Sequence, residues 1–317
     1  MLMILAFAIS FVLGLIICPI LIPVLKKLKF GQNIREEGPS SHLKKSGTPT
    51  MGGIMILIAF LAGSLPFIGS DGHMWFIIAG TVLFGLIGFA DDMLKIRRHQ
   101  SEGLIVLQKM GLQVIVTIAI TLYIALGTDM GTNLMVPFVG TVDFKFWYYP
   151  LAVIAILGTV NGANFTDGLD GLAGSVTSVI AAFFAAAAIF LKSGITPASL
   201  SMVGALLAFL CFNCYPAKIF MGDTGSLALG GFAVTCAFAL NIPIFLIFAA
   251  FIYLAEITSV ILQVGYFKLT HGKRIFRMAP LHHHFELGGW VETKVVTIFT
   301  IITVIGCVIA FAGLTTV

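Results

Sequence analysis

Charge is what this chain has least of. Of its 317 residues, 10% are Asp, Glu, Lys or Arg, and only 14 are acidic, whereas a soluble domain carries roughly 25% charged residues. With 59% hydrophobic residues and a mean hydropathy of +1.06, this scarcity excludes a soluble globular enzyme. The apolar runs are too long for the buried helices of a soluble core, so the chain reads as an integral membrane protein. Short segments of alternating hydrophobicity are missing as well, which excludes a β-barrel. Cysteine is scarce: Cys18, Cys211, Cys214, Cys236 and Cys307 read mostly as small core residues. The lone Cys211-x-x-Cys214 pair lacks the second pair or spaced histidine that a metal or redox centre needs. Met1–Leu25 has neither a basic start nor a small-residue cleavage site, and is expected to remain as a span. No inverted repeat of the transporter kind and no low-complexity tract is present. The net charge of +4 says little until it is located, and no nucleic-acid partner is expected.

What is there is a series of apolar runs divided by Gly, Pro and charge. They predict an all-α fold of about ten transmembrane helices, near 2–25, 51–68, 74–90, 104–126, 147–163, 172–191, 198–212, 226–240, 242–266 and 294–314. The break at Asn241–Pro243 favours two helices with a tight turn over one long helix. On this count 16 of the 18 Lys and Arg fall in or beside one set of alternate loops, and only Lys145 and Lys192 in the other. The positive-inside rule makes the basic side cytoplasmic and both termini extracytoplasmic. The whole chain, 1–317, is then a single polytopic domain. Its cytoplasmic loops lie near 26–50, 91–103, 164–171, 213–225 and 267–293, and the external loops are short and carry almost no motif.

Five of the few acids sit beside apolar runs on the cytoplasmic side: Asp91, Asp92, Asp167, Asp170 and Asp223. Ionisable groups at membrane depth persist mainly where they work. Asp91-Asp92 follows the third span; adjacent carboxylates repel unless a cation lies between them, and one that kept a proton would serve as a base. A solvated helix end paired with Lys95 is the plainer reading. In Asn164-Phe-Thr-Asp-Gly-Leu-Asp-Gly171, Gly168 and Gly171 permit tight turns and close ligand approach, and Asp170 has an alternative role as cap of the next helix. Asn213-x-x-Pro-Ala-Lys-Ile-Phe-Met-Gly-Asp-Thr-Gly-Ser226 ends at a helix N-terminus, a place suited to phosphate. There Asp223 is either a ligand or a cap, and Phe220 either stacks on a base or simply packs.

Lys44 and Lys45 open a segment, Lys44–Gly53, in which lysine meets phosphate as a point charge or anchors the next span. Ala279–Glu286 holds His282, His283 and His284, capable of phosphate contact, metal ligation or proton transfer. Three consecutive histidines cannot all face one ion, which favours phosphate contact by one or two. Glu256 and Gln263 lie on roughly one face of the ninth span, where Glu256 is either helix–helix glue or part of a polar groove.

Together, DDMLK, NFTDGLDG, NxxPAKIFMGDTGS and PLHHHFE, in this order over residues 44–286, resemble the polyprenyl-phosphate N-acetylhexosamine-1-phosphate transferases. KSGTPTMGG and the triple-histidine loop resemble the branch acting in bacterial cell-wall synthesis. The resemblance implies ten membrane helices, an active site on the cytoplasmic side of the bacterial inner membrane, and a homodimer. It further implies Mg²⁺-dependent transfer of phospho-MurNAc-pentapeptide from UDP-MurNAc-pentapeptide to undecaprenyl phosphate, giving lipid I and UMP. By position, Asp91, Asp92 and Asp223 match the catalytic acids, with Asp223 and Asp167 at the metal. Asn164, Asp167, Gly168, Leu169, Asp170, Asn213 and Phe220 match the uridine-side pocket. Lys45, Thr50, Lys109, Gln263, His282, His283 and His284 match the surrounding polar site.

Both substrates are anionic, so metal and Lys or His must neutralise them. The displacement is either direct, with Asp91 or Asp92 as base, or passes through a phosphoryl-aspartate. Two rivals stand beside this reading: a sister transferase using UDP-N-acetylglucosamine, and a cation transporter, whose carboxylates belong nearer the bilayer midplane.

Overall fold

The computed structural model describes residues 2–28, 47–98, 100 and 103–316. Ten long helices make up most of them: α1 (Leu2–Lys27), α2 (Gly53–Ser64), α3 (Met74–Arg98), α4 (Val106–Gly127), α5 (Tyr148–Thr166), α6 (Leu172–Phe190), α7 (Thr196–Asn213), α8 (Gly222–Ala239), α9 (Phe251–Leu269) and α10 (Glu292–Thr315). Among the described residues nine helices are long and apolar enough to cross a membrane, with α2 extended by the turn Leu65–Ser70. Helices suit that setting because each satisfies its own backbone in a solvent that offers no hydrogen bonds.

The tenth, α8, is the axis of the bundle. Every residue from Thr224 to Ala239 is buried, and a helix apolar all round belongs in a core. It packs chiefly on α3 and α5, while α1 lies against α7. Small residues let the helices approach closely: a Cβ on Gly88 of α3 would lie 2.0 Å from the Asp223 carbonyl oxygen. That crossing brings the end of α3 against the start of α8.

All ten expected apolar segments coincide with helices, including the short ones near 147–163 and 198–212, but several ends move. Helix α3 runs to Arg98, so Asp91 and Asp92 are helical rather than at the mouth of a loop; Lys95, Arg97 and Arg98 suit the negative end of a helix dipole. Helix α5 continues to Thr166 and α8 already starts at Gly222, which shortens the loops expected at 164–171 and 213–225. The break at 241–243 is present, with Asn241 at φ +61°. A second break at Ala250 (φ −109°, ψ 31°) separates one helical turn, Leu246–Ala249, from α9.

One element was not expected: an antiparallel hairpin, β1 (Asn133–Val136) with β2 (Gly140–Asp143). Four-residue strands are too short to show a period of two. The hairpin is tied down by the Met135 N–H donating to the Asn241 carbonyl (3.1 Å). The connection after α2 is clasped to the one after α6. Asp71 accepts hydrogen bonds from Ser193 Oγ (2.9 Å), the Gly194 N–H (2.8 Å) and the His73 N–H (2.8 Å). Partial burial pushes the Asp71 carboxyl upward, but these bonds outweigh it and hold the group below the usual carboxylate range.

Candidate active site

Where α3 ends and α8 begins, three carboxylates converge. One oxygen each from Asp91, Asp92 and Asp223 lies within 4.8 Å of the others, and Asp91 and Asp92 are only 2% and 3% exposed. Like charges so close need compensation, and two lysines supply it. Lys95 Nζ lies 2.6 Å from Asp91 Oδ2, 2.7 Å from Asp223 Oδ2 and 3.8 Å from Asp92 Oδ1. Lys109 Nζ, on α4, lies 2.8 Å from Asp223 Oδ2. Asn164, at the end of α5, donates from Nδ2 to Asp223 Oδ1 (2.9 Å) and to Ser226 Oγ (2.8 Å). The i,i+4 pairing of Lys95 with Asp91 is therefore present, with Asp91 buried and Lys95 partly exposed.

Asp92 does something else. It accepts from the Asp223 N–H (3.1 Å), the Thr224 N–H (2.8 Å) and Thr224 Oγ1 (2.7 Å). Its carboxylate is the anion at the positive end of α8. The capping role weighed for Asp223 thus belongs to Asp92, and the helix N-terminus expected to meet phosphate is already occupied. Asp91 Oδ1 accepts the Leu104 N–H (2.8 Å), which fixes the start of the α4 approach.

The loop after α5 lies beside this cluster. Although its edge reaches solvent, Asp167 is crowded by protein; removal from water and the facing Asp223, Asp92 and Asp170 carboxylates push its carboxyl well above the usual range, against a hydrogen bond from the Gly222 N–H. Asp167 is not one of the three aspartates whose oxygens converge. Gly168 has no room for a side chain, since a Cβ would sit 2.1 Å from His282 Nε2. Leu169 is buried in the core at 4% exposure. Asp170 does not cap α6, whose N-cap is the left-handed Gly171; it accepts the Ala217 N–H (2.9 Å) instead. Asn213 accepts the Gly171 N–H (3.0 Å) and donates to the Ile219 carbonyl (2.8 Å). Asp170 and Asn213 thereby tie the two motif loops together. Phe220 is bound through its backbone, donating to the Pro49 carbonyl and accepting from Gly52 (both 2.8 Å). That ladder sets Thr50 beside Gly222, where a Cβ would be 2.9 Å from Thr50 Oγ1. Lys45 lies outside the described residues.

The three histidines lie on the short helix Leu281–Glu286. His282 is 1% exposed and rests on Gly168. His283 Nδ1 is 2.8 Å from Glu286 Oε2, and His284 Nδ1 accepts the Arg277 N–H (3.1 Å). The three rings thus have different partners, although His282 and His283 lie against each other with ring centroids 4.1 Å apart. Gln263 is used structurally: its Oε1 accepts the Ile275 and Phe276 N–H groups (both 3.0 Å) and its Nε2 donates to the Phe276 carbonyl (3.1 Å).

Comparison with known proteins bears on this arrangement. Residues 74–241 match the family described as Glycosyl transferase family 4, and residues 45–57 match the phospho-N-acetylmuramoyl-pentapeptide-transferase signature 1. A phospho-N-acetylmuramoyl-pentapeptide-transferase of Caldanaerobacter subterraneus subsp. tengcongensis is 49% identical over 309 residues, 96% of each chain. The chain belongs to the phospho-N-acetylmuramoyl-pentapeptide-transferase family. Relatives of the same name from Clostridium perfringens (48% identical over 314 residues) and Thermoanaerobacter sp. (47% over 313) each align over 98% of both chains. The family model spans α3 to α8, the helices that carry all three converging aspartates.

Three contributors to this transferase site escaped the sequence reading. Lys95 was weighed only as a surface partner, though its spacing from Asp91 was visible. Thr224 gave no signal separable from a helix start. Sequence leaves Glu256 open between helix–helix glue and a polar groove; its carboxylate accepts the His282 N–H (3.2 Å).

Proposed function

We propose that this protein transfers phospho-MurNAc-pentapeptide from UDP-MurNAc-pentapeptide to undecaprenyl phosphate, releasing UMP and forming lipid I. The observation that carries the reading is the convergence of Asp91, Asp92 and Asp223 with Lys95 and Lys109. Two anionic substrates can meet only where such groups neutralise them. Mg²⁺ fits this place, because carboxylate oxygens are its preferred donors and the three acids outnumber the two lysines. Asp223, Asp91 and Asp92 would hold it. Bound there, Mg²⁺ would neutralise the pyrophosphate and stabilise the departing UMP.

In this reading the lipid phosphate oxygen attacks the sugar-bearing phosphorus directly, and the bond from that phosphorus to the UMP oxygen breaks. Direct displacement is favoured over a phosphoryl-aspartate because the lipid phosphate is already a competent oxyanion and needs no covalent relay. Lys109 and Lys95 lower the repulsion between donor and acceptor, and Asn164 orients Asp223. Asp167, Gly168 and Asn213 shape the uridine side; His283, the less buried of the paired histidines, faces the donor. The prenyl tail follows α9, whose residues from Ile261 onward are largely exposed.

The same reading takes the site as cytoplasmic, with both termini outside a bacterial inner membrane, supported by the loop distribution of Lys and Arg. It takes the molecule as a homodimer, which mass measurement in detergent or nanodiscs tests. The deciding experiment is UMP release by purified protein with undecaprenyl phosphate and Mg²⁺, offering UDP-MurNAc-pentapeptide and UDP-N-acetylglucosamine separately. Turnover with the first alone supports the proposal. Turnover with the second alone replaces the donor, and turnover with neither in folded protein rejects the transferase assignment. Chelation should abolish the reaction, and Mg²⁺ should restore it.

A further inference from the structure

A carboxylate inside a membrane helix needs a reason. Glu256 sits in α9 with 0% exposure. Its Oε1 accepts the main-chain N–H of His282 at 3.2 Å. The His282 ring nitrogen Nδ1 lies 3.2 Å from the same oxygen without the geometry of a hydrogen bond. Glu256 Oε2 and His282 Nε2 are buried and have no hydrogen-bond partner among the described residues. One turn earlier, the Tyr253 hydroxyl bonds Thr177 on α6, so this stretch of α9 is pinned to the bundle. On the far side, the His282 ring presses on Gly168, leaving no space for a Cβ. Its other face meets His283, with ring centroids 4.1 Å apart.

We propose that Glu256 is a positioning residue. Its carboxylate holds the main chain of His282 so that the ring braces Gly168 in the loop after α5 and His283 is presented to the donor. The argument is mechanical and electrostatic. A buried acid left without its donor is strongly disfavoured, so Glu256 and His282 stay together. Because α9 is fixed through Tyr253, the short helix Leu281–Glu286 takes its place from α9. Glycine at 168 then lets the loop bearing Asp167 close against the ring. The chain α9, His282, Gly168, Asp167 links the exposed helix to the carboxylate cluster. Among the described residues, the hydrogen bond to the Glu256 carboxylate comes from the short helix that follows α9 and not from α5 or α6.

The inference rests on the proposed donor only in its kinetic arm. Hydrogen exchange of the purified protein needs no substrate. Glu256→Ala should speed amide exchange at His282–Glu286 and at Asp167–Gly171 while the outer clasp at Asp71 keeps its protection. In turnover, the same variant should raise the KM for the nucleotide donor by about tenfold, the loss of one hydrogen bond to a charged group, and leave the KM for the prenyl phosphate unchanged. Glu256→Gln keeps an acceptor oxygen and should retain the wild-type donor KM and exchange pattern. Unchanged exchange in both segments of Glu256→Ala overturns the proposal. So does a Gln variant that behaves like the Ala one, because charge rather than the main-chain bond would then be at work. Should Glu256→Ala fail to fold, Gly168→Ala displaces the ring from the other side; it too must raise exchange at His282–Glu286, and protection equal to wild type overturns the bracing. An inactive wild type with the expected exchange pattern would reject the donor assignment and leave this coupling standing.

Discussion

Gly88→Ala tests whether the carboxylate cluster is set by a helix crossing. The added Cβ would lie 2.0 Å from the Asp223 carbonyl oxygen and 2.6 Å from the Thr224 nitrogen. An ordinary contact begins near 3.4 Å, so α3 and α8 must separate locally by about 1.4 Å. Both opposing atoms are backbone at the start of a buried helix, and no side chain can swing away. Asp92 accepts its three bonds across this same seam at 2.7–3.1 Å, and such a shift stretches them past hydrogen-bonding range. Overpacking of this kind costs about 1–3 kcal/mol, and each bond to a charged group contributes about 1.5–3 kcal/mol. Misplacement of reacting groups by roughly 1 Å lowers rates by about 100-fold. The expected result is therefore a fall in kcat of about two orders of magnitude, with a lowered melting temperature. Gly158→Ala is the control, since nothing lies within 4 Å of its Cβ position; there Ala should be neutral, or stabilise by about 0.5–1 kcal/mol. The assay is UMP release, paired with thermal unfolding in the same detergent. Turnover of Gly88→Ala within a few-fold of wild type would refute the reasoning, and so would an equal loss in Gly158→Ala.

Asp223→Asn keeps the shape of the side chain and removes the charge that Lys95 and Lys109 meet. It should abolish UMP release with little change in melting temperature, and near-normal turnover would remove Asp223 from the chemistry. Asn213→Ala leaves the Gly171 N–H and the Ile219 carbonyl unpaired in a buried place, at a cost of about 1–3 kcal/mol for each unmade bond; an unchanged melting temperature would contradict the tie between the two motif loops. Asp71→Ala should loosen the outer clasp by about 1 kcal/mol, a figure kept low because the group is partly exposed. Its carboxyl is held below the usual range, so the stabilisation is full above the ordinary carboxylate pKa and fades as pH falls through the lowered one. The gap between wild type and Asp71→Ala should therefore shrink in acid, and a gap that widened as pH fell would reverse the argument.

How much of this was legible in sequence depends on the scale asked. Long apolar runs report burial, in lipid or in protein, so all ten segments could be found, the short ones near 147–163 and 198–212 included. Their ends are less visible because charge ordinarily marks the end of an apolar run. In α3 it does not: Asp91, Asp92 and Lys95 neutralise one another on consecutive turns, and the helix runs on to Arg98. The break at Ala250 left no mark, since alanine favours helix and only tertiary packing overrides it. The hairpin after α4 was hidden by strands of four residues.

At the site, residue type and order carried the family, but not the division of labour. Sequence shows that Asp92 is an acid beside Asp91. It does not show that α8 starts against α3, and that start is what gives Asp92 its bonds from the Asp223 and Thr224 N–H groups. In the same way, three histidines in a row look equivalent until Glu256 takes the first by its main chain and Arg277 takes the third. Both distinctions arise from contacts made between residues 26 to 132 positions apart or across a loop, which no local pattern encodes. His283 lies between the other two histidines with Nδ1 2.8 Å from Glu286 Oε2, and the proposed function assigns it to the donor. If that is right, His283→Ala should weaken the donor in KM while melting temperature holds, whereas His284→Ala should disturb chiefly the Arg277 turn. Equal kinetic effects from the two would mean that burial has been misread as function.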